Sequence, residues 1–382
     1  METVEAQAHW SDAPLAWRDR VLSSAGFRRW AEAFVPTRWI ARRRAAALFD
    51  LLAGFVYSQV LLACVRLRLF DLLAAHGPLT MAALAQRLSL PLAGTERLVL
   101  AAVSLRLLDV RSQTGGDRRY GLGALGAPMV GNTALAAMVD HHGALYLDLA
   151  DPVALLRGEP ASTQLASFWP YSGSAAPGGL AAPQLAAYSA LMAASQPLVA
   201  EQLLQAYPLR RHRRLLDVGG GDGAFACAAA AHAPGLQLQV FDLPGVALRA
   251  RERFECAGLA ARCSAVGGDF FRDALPPGAD LITLLRVVHD HDDAQVLILL
   301  RAVRQALAAG GRLLLAEPLA ETPGAEAMGH AYFGFYLMAM GQGRPRSEAR
   351  LRELAMQAGF GRVRRLRTRM PLQTGLLLLD SA

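Results

Sequence analysis

In the second half of the chain, short apolar runs recur, each closed by an acid or a glycine and followed by a stretch with helical spacing. Leu215-Leu216-Asp217-Val218 breaks into Gly219-Gly220-Gly221-Asp222-Gly223, and an alanine-rich segment follows over 224–232. Leu236 to Phe241 ends in Asp242, with a helix opened by Pro244 and running to about Gly258. The run 261–267 ends in Gly268-Asp269-Phe270-Phe271, and 280–288 runs into His289-Asp290-His291-Asp292-Asp293. A fifth run, 312–316, ends in Glu317-Pro318. Buried strands alternating with helices predict an α/β domain with a mostly parallel sheet, its acids gathered at the carboxyl ends of the strands. A helix capped by Ser347 and stopped by Gly359 then leads to a terminal hairpin, Val363–Met370 with Leu372–Asp380.

The first half has a different rhythm. From Ala45 to about Asp148 the spacing is helical with short breaks, and Leu107–Val110 with Arg119–Leu122 flank a polar tip as a two-stranded wing. Helix, turn, helix and wing in that order predict a winged-helix unit. Its second helix carries Leu98, Val99, Leu100, Ala101, Ala102 and Val103, with few side chains able to reach base edges, so it is built for burial and not for nucleic acid. Prolines 152, 160, 170, 177 and 183 mark a connector, and a helical linker over 184–205 carries Met192 toward the glycine loop. The division expected is an extension over 1–44, a winged-helix-like dimerisation domain over 45–150, a connector over 151–205 and an α/β domain over 206–382.

Composition adds three constraints. Hydrophobic residues make up 53% of the chain and charged ones 19%, which suits a core-rich globular protein with an apolar substrate. All 39 basic residues are arginine and the net charge is +7, a balance compatible with peripheral contact with an anionic membrane. The four cysteines, Cys64, Cys227, Cys256 and Cys263, lack zinc or disulfide spacing and fit a reducing cytoplasm. No apolar leader follows the N-terminus, and the run Leu51–Val65 is shorter than a bilayer requires, so a buried or dimer-forming helix is expected there.

The candidate chemistry lies at the strand ends. A strand, a glycine turn and a helix N-terminus let a cofactor approach the main chain. Read alone, Gly219 to Ala224 fits a dinucleotide loop as well as Asp217-x-Gly219-x-Gly221-x-Gly223 fits an S-adenosylmethionine loop. Asp242, about twenty residues on, stands where an acid accepts the ribose hydroxyls. Asp269 and Phe270 suit an adenine, the carboxylate for its amine and the ring for packing. His289 at the end of the fourth run is a base suited to neutral pH, and Glu317 can hold its imidazole in the tautomer that leaves Nε2 free. The segment from His330 to Met340 is too rich in aromatics and methionines for a solvent face, and Phe333, Tyr336 and Met340, with Met192, are expected to line an apolar pocket.

Taken together, these segments resemble the S-adenosylmethionine-dependent O-methyltransferases of the plant-type, acetylserotonin-methyltransferase-like family. The resemblance is carried by Leu216–Gly223, Phe241-Asp242-Leu243-Pro244, Gly268–Phe271 and Val288-His289-Asp290. It implies a homodimer with a winged-helix dimerisation domain ahead of a class I Rossmann-like methyltransferase domain. It also implies S-adenosylmethionine bound by Asp217, Gly219, Gly221, Asp242, Leu243, Asp269, Phe270 and Arg286, with His289 and Glu317 catalytic and no metal. Arg286–Asp293 and Ala331–Gly341 look like the bacterial carotenoid O-methyltransferases of that family, implying a hydroxylated acyclic carotenoid as acceptor; a bacteriochlorophyll-type or polyketide acceptor is the alternative. Two positions depart. The family has Trp where His291 stands, and Glu-Arg-Thr where this chain reads Pro345-Arg346-Ser347. The second change removes a carboxylate and leaves Glu317 as the one acid inherited to orient the base.

Overall fold

The computed structural model describes residues 13–111, 118–159, 162–168, 196–371 and 374–381. Met192, most of the proline-rich connector and the wing tip lie outside the described residues. The chain divides into two compact units between Gly131 and Asn132.

The first unit opens with helices α1 (Ala13–Ser23), α2 (Ala25–Ala33) and α3 (Val35–Arg66), then α4 (Leu69–His76), β1 (Leu79–Thr80), α5 (Met81–Leu88), α6 (Leu92–Ser104), β2 (Leu108–Arg111) and β3 (Arg119–Leu122). Thr80 caps α5 by accepting from the Ala83 amide. The three strands form one antiparallel sheet in the order β1-β3-β2. Leu69, Phe70, Leu73, Leu84, Val99, Leu108 and Tyr120 close its core, so α6 turns Val99 and Ala102 inward as its sequence requires. Leu100 on the same helix is exposed.

Helix α3 corrects the reading of its apolar run. Leu51–Val65 is part of a 32-residue helix, about 48 Å long at 1.5 Å per residue. Ala45–Phe49 continues the helix toward the N-terminus without a breaker, and Asp50 is accommodated in it. By length and composition alone this helix could cross a bilayer. Only Leu62 and Cys64 of it are buried, while Leu48, Phe49, Leu51, Leu52, Phe55 and Val56 are exposed.

The second unit begins with α7 (Thr133–Asp148), α8 (Pro152–Leu156), α9 (Gln164–Phe168) and α10 (196–206). A doubly wound region follows: β4 (Arg214–Val218), α11 (Ala224–His232), β5 (Gln237–Asp242), α12 (Pro244–Cys256), β6 (Cys263–Gly267), β7 (Ala279–Leu285), α13 (Asp293–Ala306) and β8 (Leu307–Glu317). It ends with α14 (Gly334–Met340), α15 (Glu348–Gln357), β9 (Phe360–Leu366) and β10 (Gly375–Ser381). The seven strands lie in the order β6-β5-β4-β7-β8-β10-β9. Every neighbouring pair among β4 to β8 is parallel, and β10 runs antiparallel to both β8 and β9.

Period-two alternation explains why these runs are apolar throughout. Leu215, Leu281, Leu314 and Leu376 enter the core on one face of the sheet, and Leu216, Ile282, Leu313 and Leu377 enter the core on the other. Strand β8 starts five residues earlier than its apolar run. The register moves from Ala279–Leu307 to Leu281–Arg312, so residues 308–311 are absorbed as an irregularity before regular pairing resumes.

Candidate active site

Four of the expected cofactor positions, Gly219, Gly221, Asp242 and Leu243, meet at one end of the sheet. Gly219, at φ 69°, donates its amide to the Phe241 carbonyl at 2.8 Å, and an added Cβ there would meet Val287 Cγ2 at 2.7 Å. Gly221, at φ 61°, donates to Asp242 Oδ2 at 2.8 Å. The Leu243 amide donates to the other oxygen, Oδ1, at 2.7 Å. The Asp242 carboxylate therefore ties the glycine loop to the start of α12. A carboxylate at this strand tip is the group type that accepts hydrogen bonds from ligand hydroxyls. An added Cβ at Gly221 would meet nothing within 4 Å, so the loop is open on that side.

Asp217 lies lower. It is fully buried, and its Oδ1 accepts from Thr283 Oγ1 at 2.6 Å across the β4–β7 pairing. Its Oδ2 has no hydrogen-bond partner among the described residues. An added Cβ on Gly220 would come within 2.5 Å of that oxygen, so the carboxylate is tucked beneath the loop. Burial pushes its pKa up to about 7, against the Thr283 bond, and the nearby Asp242 adds to the rise. An unpaired buried carboxylate under an open glycine turn fits a site for a cationic amino-acid group. At the tip of β6, Asp269 Oδ1 accepts from the Phe271 amide at 2.9 Å, and the Phe270 ring stands edge-on to Phe271 at 4.6 Å.

The residues expected to handle a proton sit at the ends of β7 and β8. Arg286 takes φ 57°, a strained value for a side-chain-bearing residue, and its amide donates to the Ala316 carbonyl at 2.8 Å. The chain then forms a 3-10 turn over Val288–Asp290. His289 was expected at a strand end, where neighbouring side chains point apart; the turn brings Asp290 round to it. Glu317, the last residue of β8, accepts the Val287 and Val288 amides at Oε1 (3.0 and 2.7 Å) and His289 Nδ1 at Oε2 (2.5 Å). His289 Nε2 is 3.2 Å from Asp290 Oδ1.

Both ring nitrogens thus face carboxylates, which corrects two expectations. Nε2 is not left free, and Glu317 is not the only acid beside the base. The adjacent Asp290 was in plain sight in the sequence, but only the turn geometry reveals its placement. Burial alone would depress the imidazole pKa; Asp290 and Glu317 outweigh it, Arg286 opposes them, and the pKa is held above the ordinary histidine value.

A second set of residues, which sequence reasoning missed, fixes this turn from outside. The Arg346 guanidinium is buried and donates to the Val288 carbonyl at 2.8 Å, the His291 carbonyl at 2.5 Å and Asp293 Oδ1 at 2.7 Å. The Arg344 amide donates to the His289 carbonyl at 2.9 Å. Gly343, at φ 87°, passes so close that an added Cβ would lie 2.3 Å from the His289 carbonyl oxygen. His291 is buried edge-on against both Phe270 and Phe271 (5.6 and 4.9 Å). Burial, with the nearby His289 and Arg346 charges, pushes its pKa down to about 4, so it packs as a neutral aromatic. An aromatic role is what a tryptophan would fill at that position.

The expected pocket wall divides. Phe333 stands edge-on to His289, with ring centroids 6.0 Å apart. The Tyr336 hydroxyl pairs with His141 Nε2 on α7 at 2.8 Å, and the neighbouring Tyr332 hydroxyl pairs with His142 Nε2 at 2.8 Å. Met340 is not on an open wall: it is buried with Leu145, Leu155 and Leu165 in a small core between α14 and the helices before it.

The reversed β10, wedged between β8 and β9, separates this sheet from the all-parallel dinucleotide fold. With the glycine loop and the carboxylates on the next two strand tips, it defines an S-adenosylmethionine-dependent methyltransferase. Comparison with known proteins agrees. Residues 146–361 match the model of the O-methyltransferase domain, and residues 49–132 match the O-methyltransferase dimerisation domain. The chain belongs to the O-methyltransferase family. It is 44% identical to the demethylspheroidene O-methyltransferase of Cereibacter sphaeroides, over 90% of this chain and 89% of that one. It is 42% identical to the Rhodobacter capsulatus protein of the same name, over 88% and 82%. Human N-acetylserotonin methyltransferase, solved in complex with SAM, is 27% identical with a TM-score of 0.72, over 89% of this chain and 98% of that one.

Proposed function

We propose that the protein transfers a methyl group to the hydroxyl of an apolar, carotenoid-type acceptor in carotenoid biosynthesis, and that it works as a homodimer through its first unit. The acceptor class is supported by near-full-length similarity to two demethylspheroidene O-methyltransferases. The observation that carries the chemistry is His289, held by Glu317 on one side and meeting the Phe333 ring on the other. The dimer is supported by the dimerisation-domain match.

In this reading Asp242, Leu243 and the Gly219–Gly221 loop hold the nucleoside end of S-adenosylmethionine, Asp269 and Phe270 its adenine, and Asp217 supports the loop beneath its amino-acid end. Arg286 acts through its charge on the His289–Asp290 pair. When bound, S-adenosylmethionine supplies an electrophilic methyl on a sulfonium. The acceptor group in this reading is the tertiary hydroxyl of an acyclic carotenoid, far too weak an acid to be deprotonated beforehand by an imidazole, so His289 Nε2 takes the proton as the new O–CH3 bond forms. The O–H electron pair stays with oxygen, and the C–S pair leaves with sulfur. Asp290 yields Nε2 to the acceptor hydroxyl for that step. The resulting imidazolium lies between two carboxylates already placed to stabilise it, so little reorganisation is needed. Holding oxygen in line with the methyl supplies much of the remaining acceleration.

The test is methyl transfer from labelled S-adenosylmethionine to hydroxylated acyclic carotenoids in detergent, beside a water-soluble phenol. A methoxylated carotenoid is expected. Methylation of the phenol alone would overturn the acceptor assignment while leaving the enzyme class intact.

A further inference from the structure

The dimerisation match begins at residue 49 and leaves α1, α2 and the first part of α3 outside it. We propose that this segment, residues 13–48, is a surface anchor that lays the protein on an anionic lipid bilayer. It carries eight arginines against two acids, Asp19 and Glu32. Arg42, Arg43 and Arg44 form a consecutive exposed run near its end. Three tryptophans are interleaved with this charge, and all are exposed: Trp17 by 65%, Trp30 by 51% and Trp39 by 62%.

Helix α2 is two-sided. Phe27 and Trp30 fall at i and i+3 on one face, where Phe34, the residue that caps the helix, stacks on Trp30 at 5.0 Å, while Arg28, Arg29 and Glu32 take the other. Leu15, Val35 and Ile40 extend the exposed apolar surface. Tryptophan rings settle at the headgroup level, and arginine stems bury their methylenes while the guanidinium stays among phosphates. A helix of this kind lies in the interface plane, and it binds through apolar contact together with attraction to anionic lipid.

Charge decides between the two apolar occupants available. A second copy would bring an equally cationic segment against this one, and like charges repel. An anionic leaflet complements it. The anchor is independent of the acceptor's identity, but it brings a soluble catalytic unit to the phase where an apolar acceptor dissolves.

The experiment is cosedimentation of the full chain with phosphatidylcholine vesicles, with and without phosphatidylglycerol, in the absence of any acceptor. Binding should rise at least tenfold with the anionic lipid and fall as salt screens it. Arg42→Ser/Arg43→Ser/Arg44→Ser should lose about tenfold in partitioning, and Trp17→Ser/Trp39→Ser a similar amount. Both variants should keep the melting temperature, the dimer mass and S-adenosylmethionine binding of the parent. Equal binding to neutral and anionic vesicles would overturn the proposal. So would loss of the dimer in the arginine variant with vesicle binding intact, since the segment would then belong to the subunit contact. Retention on the vesicles after a wash at about 1 M salt would replace surface docking with insertion.

Discussion

The two halves of the active site hold their acids by different means. At β4 and β5, Asp217 and Asp242 are held by a threonine hydroxyl and two backbone amides, all neutral donors within the glycine loop and its neighbouring strands. At β7 and β8, Glu317 and Asp290 bracket an imidazole, and Arg346 secures the turn that carries it. The first half is a cradle shaped by backbone conformation. The second is a charge assembly, in which two carboxylates raise the imidazole pKa and Arg286 opposes them. Substitutions should therefore separate cleanly: changes in the cradle should alter cofactor affinity, and changes in the charge assembly should alter rate and pH dependence.

The strongest test of that separation is His289→Ala. It should lower kcat by about 10²–10⁴-fold and leave the S-adenosylmethionine Kd within a fewfold of the parent. Near-normal turnover would remove the base from the mechanism. Glu317→Gln should cost on the order of 10²-fold in kcat, because it replaces the charge that stabilises the imidazolium. An unchanged melting temperature would show that the two Val amides keep their acceptor. Asp242→Ala should act on the other half. Losing an acceptor for two amides and for the ribose should weaken S-adenosylmethionine by about tenfold or more, read by calorimetry, with kcat at saturation little changed.

Asp290→Asn tests the coupling itself. The base must be neutral to act, so activity should rise with pH through the raised His289 pKa. Removing the Asp290 charge should move that limb to lower pH with only a fewfold change in the plateau. A limb that stays in place would show that Glu317 alone sets the ionisation. The smallest effect concerns stability. Asp217 has a folded pKa raised from 3.8 to about 7, so its contribution is full below the unfolded value and is lost as pH rises through the folded one. Between about pH 5 and pH 8 the ligand-free protein should lose about 2 kcal/mol from this group. Asp217→Asn, which cannot ionise, should show a flatter dependence of Tm on pH across that window.

The difference between the halves also explains what could be read in advance. The cradle was legible because the residues that build it are local: an apolar run, a glycine turn and an acid at the next strand tip each follow from period and turn chemistry. The resemblance to the family, and with it the choice of cofactor, rested on those same segments together with Val288-His289-Asp290. The charge assembly was only half legible. His289 and Glu317 were found as strand-end residues, but Asp290 was missed as a partner because an extended chain would have turned it away. Arg346 clamps carbonyls 55 to 58 positions earlier in the chain, at Val288 and His291. No periodicity reports such a contact. Met340 was placed on the pocket wall from a composition that serves a core equally well, and packing assigned it to the core. On α3, counting the apolar run between polar residues underestimated a helix that carries its polar residues without ending.

The clamp on the catalytic turn has a consequence for the timing of synthesis. Glu317 follows His289 by 28 residues, and Arg346 follows it by 57, with Gly343 and Arg344 just before. At about 5–20 residues per second, the proposed base leaves the ribosome several seconds ahead of the groups that hold its turn. Strand β10, the last in the chain, is the one that inserts between β8 and β9. Until it arrives, the strand that carries Glu317 is an edge. A chain that ends between Asp269 and this hairpin carries the residues of the cradle but lacks the strand that covers Glu317's edge. Competence for chemistry is thus among the last properties the polypeptide acquires.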